Sequence, residues 1–262
     1  ARYSESLALY RELDDARGMA RVLINLGTVS KFQGDLAQAR ARYETGLEIV
    51  RKLEDTPLLA LVLNNLGSVA IDLGDNKQAA AVLEESLALK RQAGIPDGII
   101  VTLINLGEVA RALGDLDRAV SLGEEALALA GSINARRHTA HAHYNLGLVA
   151  RARGSHDQAA TAFQSGLRLE QELGNKRQIV SILEGLAGLA ATRGENRRAG
   201  RLFGAAEHLR EQLGAPIPPA DRPMHDRDIA TVRTQLGPVD AKAAWAAGRA
   251  LPLDAAIDEA LP

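Results

Sequence analysis

Apolar and polar residues follow one another along the chain with the spacing of amphipathic helices. Apolar residues recur at intervals of three and four in two successive segments: Val22, Leu23, Leu26 and Val29, then Leu36, Ala39, Tyr43, Leu47 and Val50. This spacing places them on one face of a helix. The pattern therefore predicts two antiparallel helices, A and B, joined by a short turn.

The predicted hairpin recurs every 40 residues, and four markers keep this period. The triplet Asn-Leu-Gly begins at Asn25, Asn65, Asn105 and Asn145, with a weaker copy at Gly185. A turn glycine follows at Gly34, Gly74, Gly114, Gly154 and Gly194. An alanine occupies positions Ala39, Ala79, Ala119, Ala159 and Ala199. An apolar residue stands at Leu9, Ile49, Leu89, Leu129, Leu169 and Leu209. Markers in phase over five copies predict a stack of identical supersecondary units.

The residues of the turn explain why helix A ends where it does. Gly34 and its equivalents suit the left-handed residue that follows a helix end. The next residue is Asp35, Asp75, Asp115 or Ser155, each of which can cap helix B. The glycine of each Asn-Leu-Gly triplet lies inside helix A, where it costs about 1 kcal/mol relative to alanine. We expect a packing reason, namely close approach of helix B through the alanines at Ala39, Ala79, Ala119 and Ala159.

The 262 residues divide into three parts on this pattern. Residues 1–13 match a lone helix B, so we expect the chain to begin inside a repeat of a longer protein. Residues 14–213 hold five hairpins, and residues 214–262 form a cap. The run from Gly214 to Pro219 breaks the helix, and three short helices are predicted after it: Met224–Leu236, Val239–Arg249 and Leu253–Leu261. Trp245 is the one tryptophan and is suited to cover the last apolar face.

These residues resemble the tetratricopeptide repeat (TPR). The likeness lies in Leu-Gly of helix A and in alanine, then an aromatic residue (Tyr43, Phe163, Phe203), then a small residue in helix B. A 40-residue unit with Asn before Leu-Gly is similar to the longer repeats of kinesin light chains and of bacterial regulators like the maltose regulator. The resemblance implies an all-α fold, a right-handed superhelical α-solenoid of TPR hairpins with a C-terminal helical cap.

The C-terminal residues resemble the end of large bacterial signalling regulators. The matching segments are Leu202–Glu207, Leu213–Pro216 and Ala243–Leu251. In that family an effector, often a DNA-binding or cyclase-like domain, and a nucleotide-switched STAND ATPase precede such repeats. Neither lies within these residues, so the resemblance assigns those activities to a longer parent protein.

Composition excludes several classes of function. Thirty-one Lys and Arg against 33 Asp and Glu give a net charge of −2, so the segment has no surplus of cations for binding nucleic acid. The chain contains no cysteine, which excludes thiolate chemistry and fits a reducing cytoplasm. We expect neither export by an obvious signal nor membrane contact, because residues 1–5 do not resemble a signal sequence and no apolar run of 18 residues occurs.

The resemblance places the asparagines Asn25, Asn65, Asn105 and Asn145 as a ladder on the concave wall of the solenoid. An amide donates and accepts hydrogen bonds, so a ladder can bind the backbone of an extended peptide. Specificity would come from neighbours one turn away: Arg21, Thr28, Lys31, Asn64, Ser68, Glu108, Arg111, His141, Tyr144, Leu148 and Arg151. The alternative is that the amides only bond the adjacent helix. The ladder should stop at Gly185.

The sequence favours neither a metal site nor an active site. His138 and His141 share a helical face, but His143 aligns with inward leucines and no carboxylate completes a zinc site. The clusters Arg136-Arg137 and Arg197-Arg198 with Arg201 are typical of solvated helix faces. Nucleotide loops, zinc-protease motifs and nucleophile elbows are absent, so we expect no cofactor and no catalysis.

Two hypotheses of function remain. In the first, the segment is a non-catalytic sensor that binds a ligand, a partner protein or its own ATPase core in the concave groove and biases a switch in the parent protein. In the second, it is a structural or oligomerising scaffold, or a free-standing adaptor, that self-associates through its convex face or through the edge at residues 1–13. A third hypothesis is an enzyme, such as a repeat-built phosphatase, which the missing catalytic motifs disfavour.

Overall fold

The computed structural model describes residues 2–217 and 221–261, and this part of the chain holds helices and no strand. The helices are α1 (Arg2–Glu12), α2 (Ala16–Phe32), α3 (Leu36–Leu53), α4 (Thr56–Asp72), α5 (Asn76–Gln92), α6 (Pro96–Ala112), α7 (Leu116–Ser132), α8 (Arg136–Ala152), α9 (His156–Leu173), α10 (Lys176–Thr192), α11 (Asn196–Leu213), α12 (Arg222–Arg249) and α13 (Leu253–Ala260). The described residues thus form an all-α chain of helical hairpins, as the repeat pattern predicted. Its A helices are α2, α4, α6, α8 and α10, and α3, α5, α7, α9 and α11 follow them as B helices.

The turns of the hairpins follow the prediction closely. The five turn glycines have φ between 75° and 83°, in the left-handed region that favours glycine. Asp35 and Asp75 accept hydrogen bonds from backbone amides of the following helix at 3.0 and 3.2 Å, and Asp115 does so at 3.1 Å. Ser155 makes no such bond, so its predicted role as a cap is wrong. A cap that the sequence analysis missed precedes three A helices, at Asp15, Asp55 and Asn175.

The glycines inside the A helices are explained by a different neighbour from the expected one. A Cβ on Gly27 would lie 2.5 Å from the ring of Tyr43, and one on Gly147 would lie 2.6 Å from the ring of Phe163. The helices therefore approach each other where the large residue of helix B covers the glycine of helix A. The alanines, such as Ala39, are buried but are not these partners.

The chain forms two compact units, Ala1–Arg118 and Ala119–Pro262. Unit 1 contains α1 to α6. Its core joins Tyr43, Leu63 and their neighbours on α2, α3 and α4. Val29, predicted on the buried face of α2, is 36% exposed, because the core of this unit covers a narrower face of the helix than the sequence pattern suggests.

Unit 2 contains most of α7 and all helices from α8 onwards. One continuous core includes Phe163 and Phe203 of the repeats together with Val232 and Ile257 of the last two helices. Burial of this apolar surface is the main contribution that the C-terminal helices make to stability. Helix α11 ends at Leu213, and Gly214 has a φ of 55°. Pro218 and Pro219 of the predicted helix-breaking run lie outside the described residues.

Helix α12 is two helices joined at a kink. Gly237 has φ 73° and ψ 167°, which lies outside any helical region, and Pro238 follows it. The sequence analysis expected a break at this point, between Leu236 and Val239. The structure has this break at Gly237, and we call the first piece, residues 222–236, the strap.

One position near the end of each B helix carries different chemistry in each repeat. The residues 40 apart are Val50, Lys90, Ala130, Glu170 and Arg210. The first four are buried, and the Arg210 side chain is only 11% exposed. The junctions between successive hairpins are therefore chemically distinct although the hairpins share one pattern.

Candidate functional site

The A helices of unit 1 each leave one stripe uncovered by the core. In α4 the stripe runs through Leu61, Asn65, Ser68 and Asp72, which are exposed or half-buried while the residues between them are buried. The spacing of four, three and four residues is that of one helical face. Arg21, Asn25 and Thr28 form the same stripe on α2, and Val101, Asn105 and Glu108 form it on α6.

The three ladder amides of unit 1 are accessible to solvent. Asn25 is exposed, and Asn65 and Asn105 are half-buried. Within residues 2–217 and 221–261, the side chains of these three residues make no hydrogen bond. The described contacts of unit 1 thus include no hydrogen bond from these amides to the adjacent helix, and their role as a ladder stays a prediction.

Asn145 of unit 2 differs from its three equivalents. It is buried, and its side-chain nitrogen has no hydrogen-bond partner among the described residues. A buried donor without an acceptor costs about 1–3 kcal/mol. The ladder position is therefore open in unit 1 and enclosed in unit 2.

A polar link joins the stripes of α2 and α4. The ammonium of Lys31 lies 3.1 Å from a carboxylate oxygen of Asp72 and donates a hydrogen bond to Ser68. Lys31 and Ser68, both predicted as groove residues, are thereby brought together. Thr28 is held at 3.0 Å from the hydroxyl of Tyr43.

Asn64 does not line the groove as predicted. It is 8% exposed, and its Oδ1 accepts hydrogen bonds from Lys90 at 3.1 Å and from Thr102 at 2.9 Å. No carboxylate takes part in the described bonds of Lys90, which are to Asn64 and Thr102. Burial lowers the pKa of Lys90 to about 8. This cluster belongs to the junction between α4, α5 and α6.

The predicted groove residues of the fourth repeat are covered by the chain itself. Arg151 donates a hydrogen bond to Asp228 of the strap at 2.6 Å, and the two side chains are 10% and 11% exposed. Tyr144 lies 6.1 Å from Phe163, ring centre to ring centre, and Leu148 is buried. These three side chains line a narrow space with Met224, His225 and Asp228 of the strap.

A second ion pair lies beside this contact. Arg210 binds Glu184 through two hydrogen bonds of 2.6 Å each, and both side chains are largely buried. The ring of His225 stands edge-on to Phe203 at 5.7 Å, and Trp245 stacks on Phe203 at 5.8 Å. Trp245 is half-buried and donates a hydrogen bond to Glu207 at 2.9 Å.

The remaining predicted residues have less distinct surroundings. Arg21 is exposed, and Glu108 and Arg111 are half-buried with partners within the chain. Burial, aided by His138, lowers the pKa of His141 to about 4, so this imidazole is neutral at pH 7. His143 is half-buried and its pKa is lowered by burial. No group of three or more metal-ligating side chains occurs within the described ranges.

The sequence analysis missed Asp228, although a signal for it is present. Gly188 occupies the stripe position that holds Thr28 and Ser68 in unit 1. A Cβ on Gly188 would lie 2.5 Å from atoms of both Arg151 and Asp228. A glycine on the stripe therefore indicates that another part of the chain lies against the helix.

Comparison with known families identifies the repeat class. Residues 51–254, more than half of the chain, match the MalT-like TPR region. The chain belongs to this family. Residues 20–45 also match the general tetratricopeptide repeat. No curated protein sequence matches this MalT-like TPR region.

Solved structures share the fold at low sequence identity. BtubC (BKLC) from P. vanneervenii is 20% identical with a TM-score of 0.66, and the match covers 83% of this chain and 91% of that one. A Rap protein complexed with competence and sporulation factor is 14% identical with a TM-score of 0.66, over 87% and 69% of the two chains. A STAND protein with a TPR sensor from Pyrococcus horikoshii is 15% identical with a TM-score of 0.66, and the match covers 98% of this chain and 41% of that one. These likenesses show the TPR fold.

None of the helices in the described part of the chain is long and apolar enough to span a bilayer.

Proposed function

We propose that this MalT-like TPR region is a non-catalytic, protein- or peptide-binding sensor module of a larger cytoplasmic bacterial regulator. The stripes of α2, α4 and α6 bind an extended segment, which belongs to a separate partner or to the regulator's own ATPase core. The concave surfaces of helical solenoids are extended binding surfaces. The Rap protein and the STAND sensor with the same fold support a regulatory role by analogy.

One observation carries the proposal: three side-chain amides at equivalent positions of successive A helices are accessible and unpaired within the described residues. Each amide can donate one hydrogen bond to a peptide carbonyl and accept one from a peptide N–H. Such bonds read the backbone and not its side chains. Asn25, Asn65 and Asn105 therefore suit a partner held in extended form.

The spacing of the helices sets the length of that segment. Packed helices lie about 10 Å apart, so three of them span about 20 Å. An extended chain rises about 3.3 Å per residue, which gives about six or seven residues. The link between Lys31 and Asp72 supports direct contact between α2 and α4.

Side-chain selectivity comes from the rest of the stripes. Leu61 is 45% exposed and offers an apolar contact beside Asn65. Arg21 on α2 is an exposed cation, suited to an acidic side chain at one end of the segment. The preferred ligand is then an extended peptide with an apolar centre and an acidic residue near one end.

The test uses a heptapeptide selected from a random display library and measured by fluorescence anisotropy. Changing Asn65→Ala and Asn105→Ala together should weaken its binding at least tenfold, because two pairs of backbone hydrogen bonds are lost. Gln92→Ala, on the exposed face of α5, is the matched control and should bind as the wild type does. If the double variant keeps both its affinity for the heptapeptide and its circular dichroism spectrum, the hypothesis that the asparagine ladder binds the peptide is wrong.

The scaffold hypothesis rests on a separate surface. Leu9 lies in α1 and is 57% exposed, and Leu13 directly follows α1 and is 73% exposed. If the module self-associates through this edge, light scattering should give a dimer mass for the wild type. The double variant with Leu9→Glu and Leu13→Glu should give the monomer mass. A monomer mass for the wild type at high micromolar concentration would exclude this role.

A further inference from the structure

The strap lies on a surface that is shaped to receive it. Arg151 of α8 and Asp228 of the strap form a largely buried ion pair of 2.6 Å. Gly188 of α10 has no side chain where both groups pass, and any Cβ there would lie 2.5 Å from each of them. The surface thus combines a buried cation with a gap in the adjacent helix.

The two pieces of α12 are held in different ways. In the second piece, a Cβ on Gly248 would lie 1.9 Å from the carbonyl oxygen of Arg201, and one on Gly204 would lie 2.3 Å from that of Trp245. This is backbone packed against backbone. The strap instead contacts the repeats through side chains: the ion pair of Asp228, the edge of His225 on Phe203, and the buried Val232.

The kink between these pieces can act as a hinge. Gly237 has φ 73° and ψ 167°, a region that only glycine populates readily. Pro238 has no backbone N–H, so it cannot donate a helical hydrogen bond back across the kink. The strap can therefore rotate about Gly237 without breaking the contacts of the second piece.

We propose that the surface formed by Tyr144, Leu148, Arg151, Ser181, Gly185 and Gly188 is an exchangeable docking site for a helix, and that the strap is its built-in occupant. The partner that fits is an amphipathic helix with a carboxylate facing Arg151 and an apolar or aromatic residue facing Phe203. The carboxylate is required because Arg151 would otherwise be left buried without a counter-charge. This site lies within unit 2 and does not depend on the peptide site of α2, α4 and α6.

Hydrogen exchange measured by mass spectrometry tests the hinge. In Asp228→Asn, the backbone amides within residues 222–236 should exchange at least tenfold faster than in the wild type, while those of residues 239–249 keep their rate. Asp226→Asn removes an exposed carboxylate two residues away in the same strap and should leave both rates unchanged. Equal acceleration in both pieces, or none in the strap, would overturn the proposal.

Binding in trans tests the exchange. A fluorescein-labelled peptide of the strap sequence, residues 221–236, should bind the 262-residue chain carrying Asp228→Asn at least tenfold more tightly than the wild-type chain, whose own strap competes. Adding Arg151→Gln to the variant should remove at least tenfold of that affinity. If the wild type and Asp228→Asn bind the peptide equally, or if Arg151→Gln has no effect, the surface is not an exchangeable site. Far-ultraviolet circular dichroism confirms that each variant is folded.

Discussion

The stripes of the A helices are accessible in unit 1, whereas the strap covers the equivalent face in unit 2. In unit 1 the amides of Asn25, Asn65 and Asn105 are accessible, and a polar link from Lys31 to Asp72 joins the stripes of α2 and α4. In unit 2 the strap covers the same face and pairs Asp228 with Arg151. One 40-residue pattern therefore gives an open surface in one unit and an occupied surface in the other.

The difference follows from a few residues on the stripe. Positions 40 residues apart carry Thr28, Ser68, Leu148 and Gly188 in four of the A helices. The hydroxyls of Thr28 and Ser68 keep the stripe polar and hydrated. Leu148 and Gly188 have no polar side-chain group and make room for a second helix. A repeat can thus change from a ligand-binding surface to an intramolecular one without any change in its hairpin.

The largest expected effect concerns the second piece of α12, which packs against the repeats of unit 2. Gly248→Ala places a methyl group against the backbone carbonyl of Arg201 and should lower the free energy of unfolding by about 3 kcal/mol. Trp245 is the one tryptophan, so its fluorescence during urea unfolding reports this region directly.

Gly131→Ala is the control for this change. Apart from its chain neighbours and the backbone of its own helix, no atom of the described residues lies within 4 Å of a Cβ at Gly131 on α7, so alanine there should raise the free energy of unfolding by up to about 1 kcal/mol. If Gly248→Ala is as stable as the wild type, the second piece of α12 is not held rigidly against α11.

The next largest effect concerns Lys90, which is buried in unit 1. Lys90 is 6% exposed and lacks the carboxylate partner that Arg151 has in unit 2. Lys90→Met should therefore raise the free energy of unfolding at pH 7 by about 2 kcal/mol, because the buried charge is removed. Lys77→Met, at an exposed position of the same helix, should change it little.

The pH dependence of the same residue gives an independent measurement. The pKa of Lys90 is about 8 in the folded chain and 10.5 as the ordinary value, so the unfolded chain holds more protons between these limits. Wild-type stability should then rise as the pH increases from 8 to 10, and the advantage of Lys90→Met should shrink over that range. A constant difference between the two proteins in urea unfolding at pH 7 and pH 10 would contradict this account.

The smallest effect compares the turn caps of the two units. Asp75→Ala removes a cap bond of 3.2 Å in unit 1 and should cost about 1 kcal/mol. Ser155→Ala in unit 2 removes no cap bond and should change stability by less than about 0.5 kcal/mol. Thermal unfolding followed by circular dichroism measures both, and a larger loss for Ser155→Ala would reverse the assignment.

Periodicity predicted the hairpins, the turn glycines and the aspartate caps because these features depend on residues close in sequence. It did not predict that the strap covers the fourth repeat, since Arg151 and Asp228 are 77 residues apart and follow no period. It also misplaced Asn64, because a helix that packs on two neighbours buries more than one apolar stripe. A polar residue beside the ladder can then be internal, as its bonds to Lys90 and Thr102 show.

The variable position near the end of each B helix has a consequence for folding. A chain of nearly identical hairpins can pair the wrong neighbours, which is a characteristic failure of repeat proteins. Lys90 finds its oxygen acceptors only at its own junction, and Arg210 finds Glu184 only at another. A hairpin displaced by one repeat would bury one of these cations without a partner, so each junction identifies its correct neighbour during assembly.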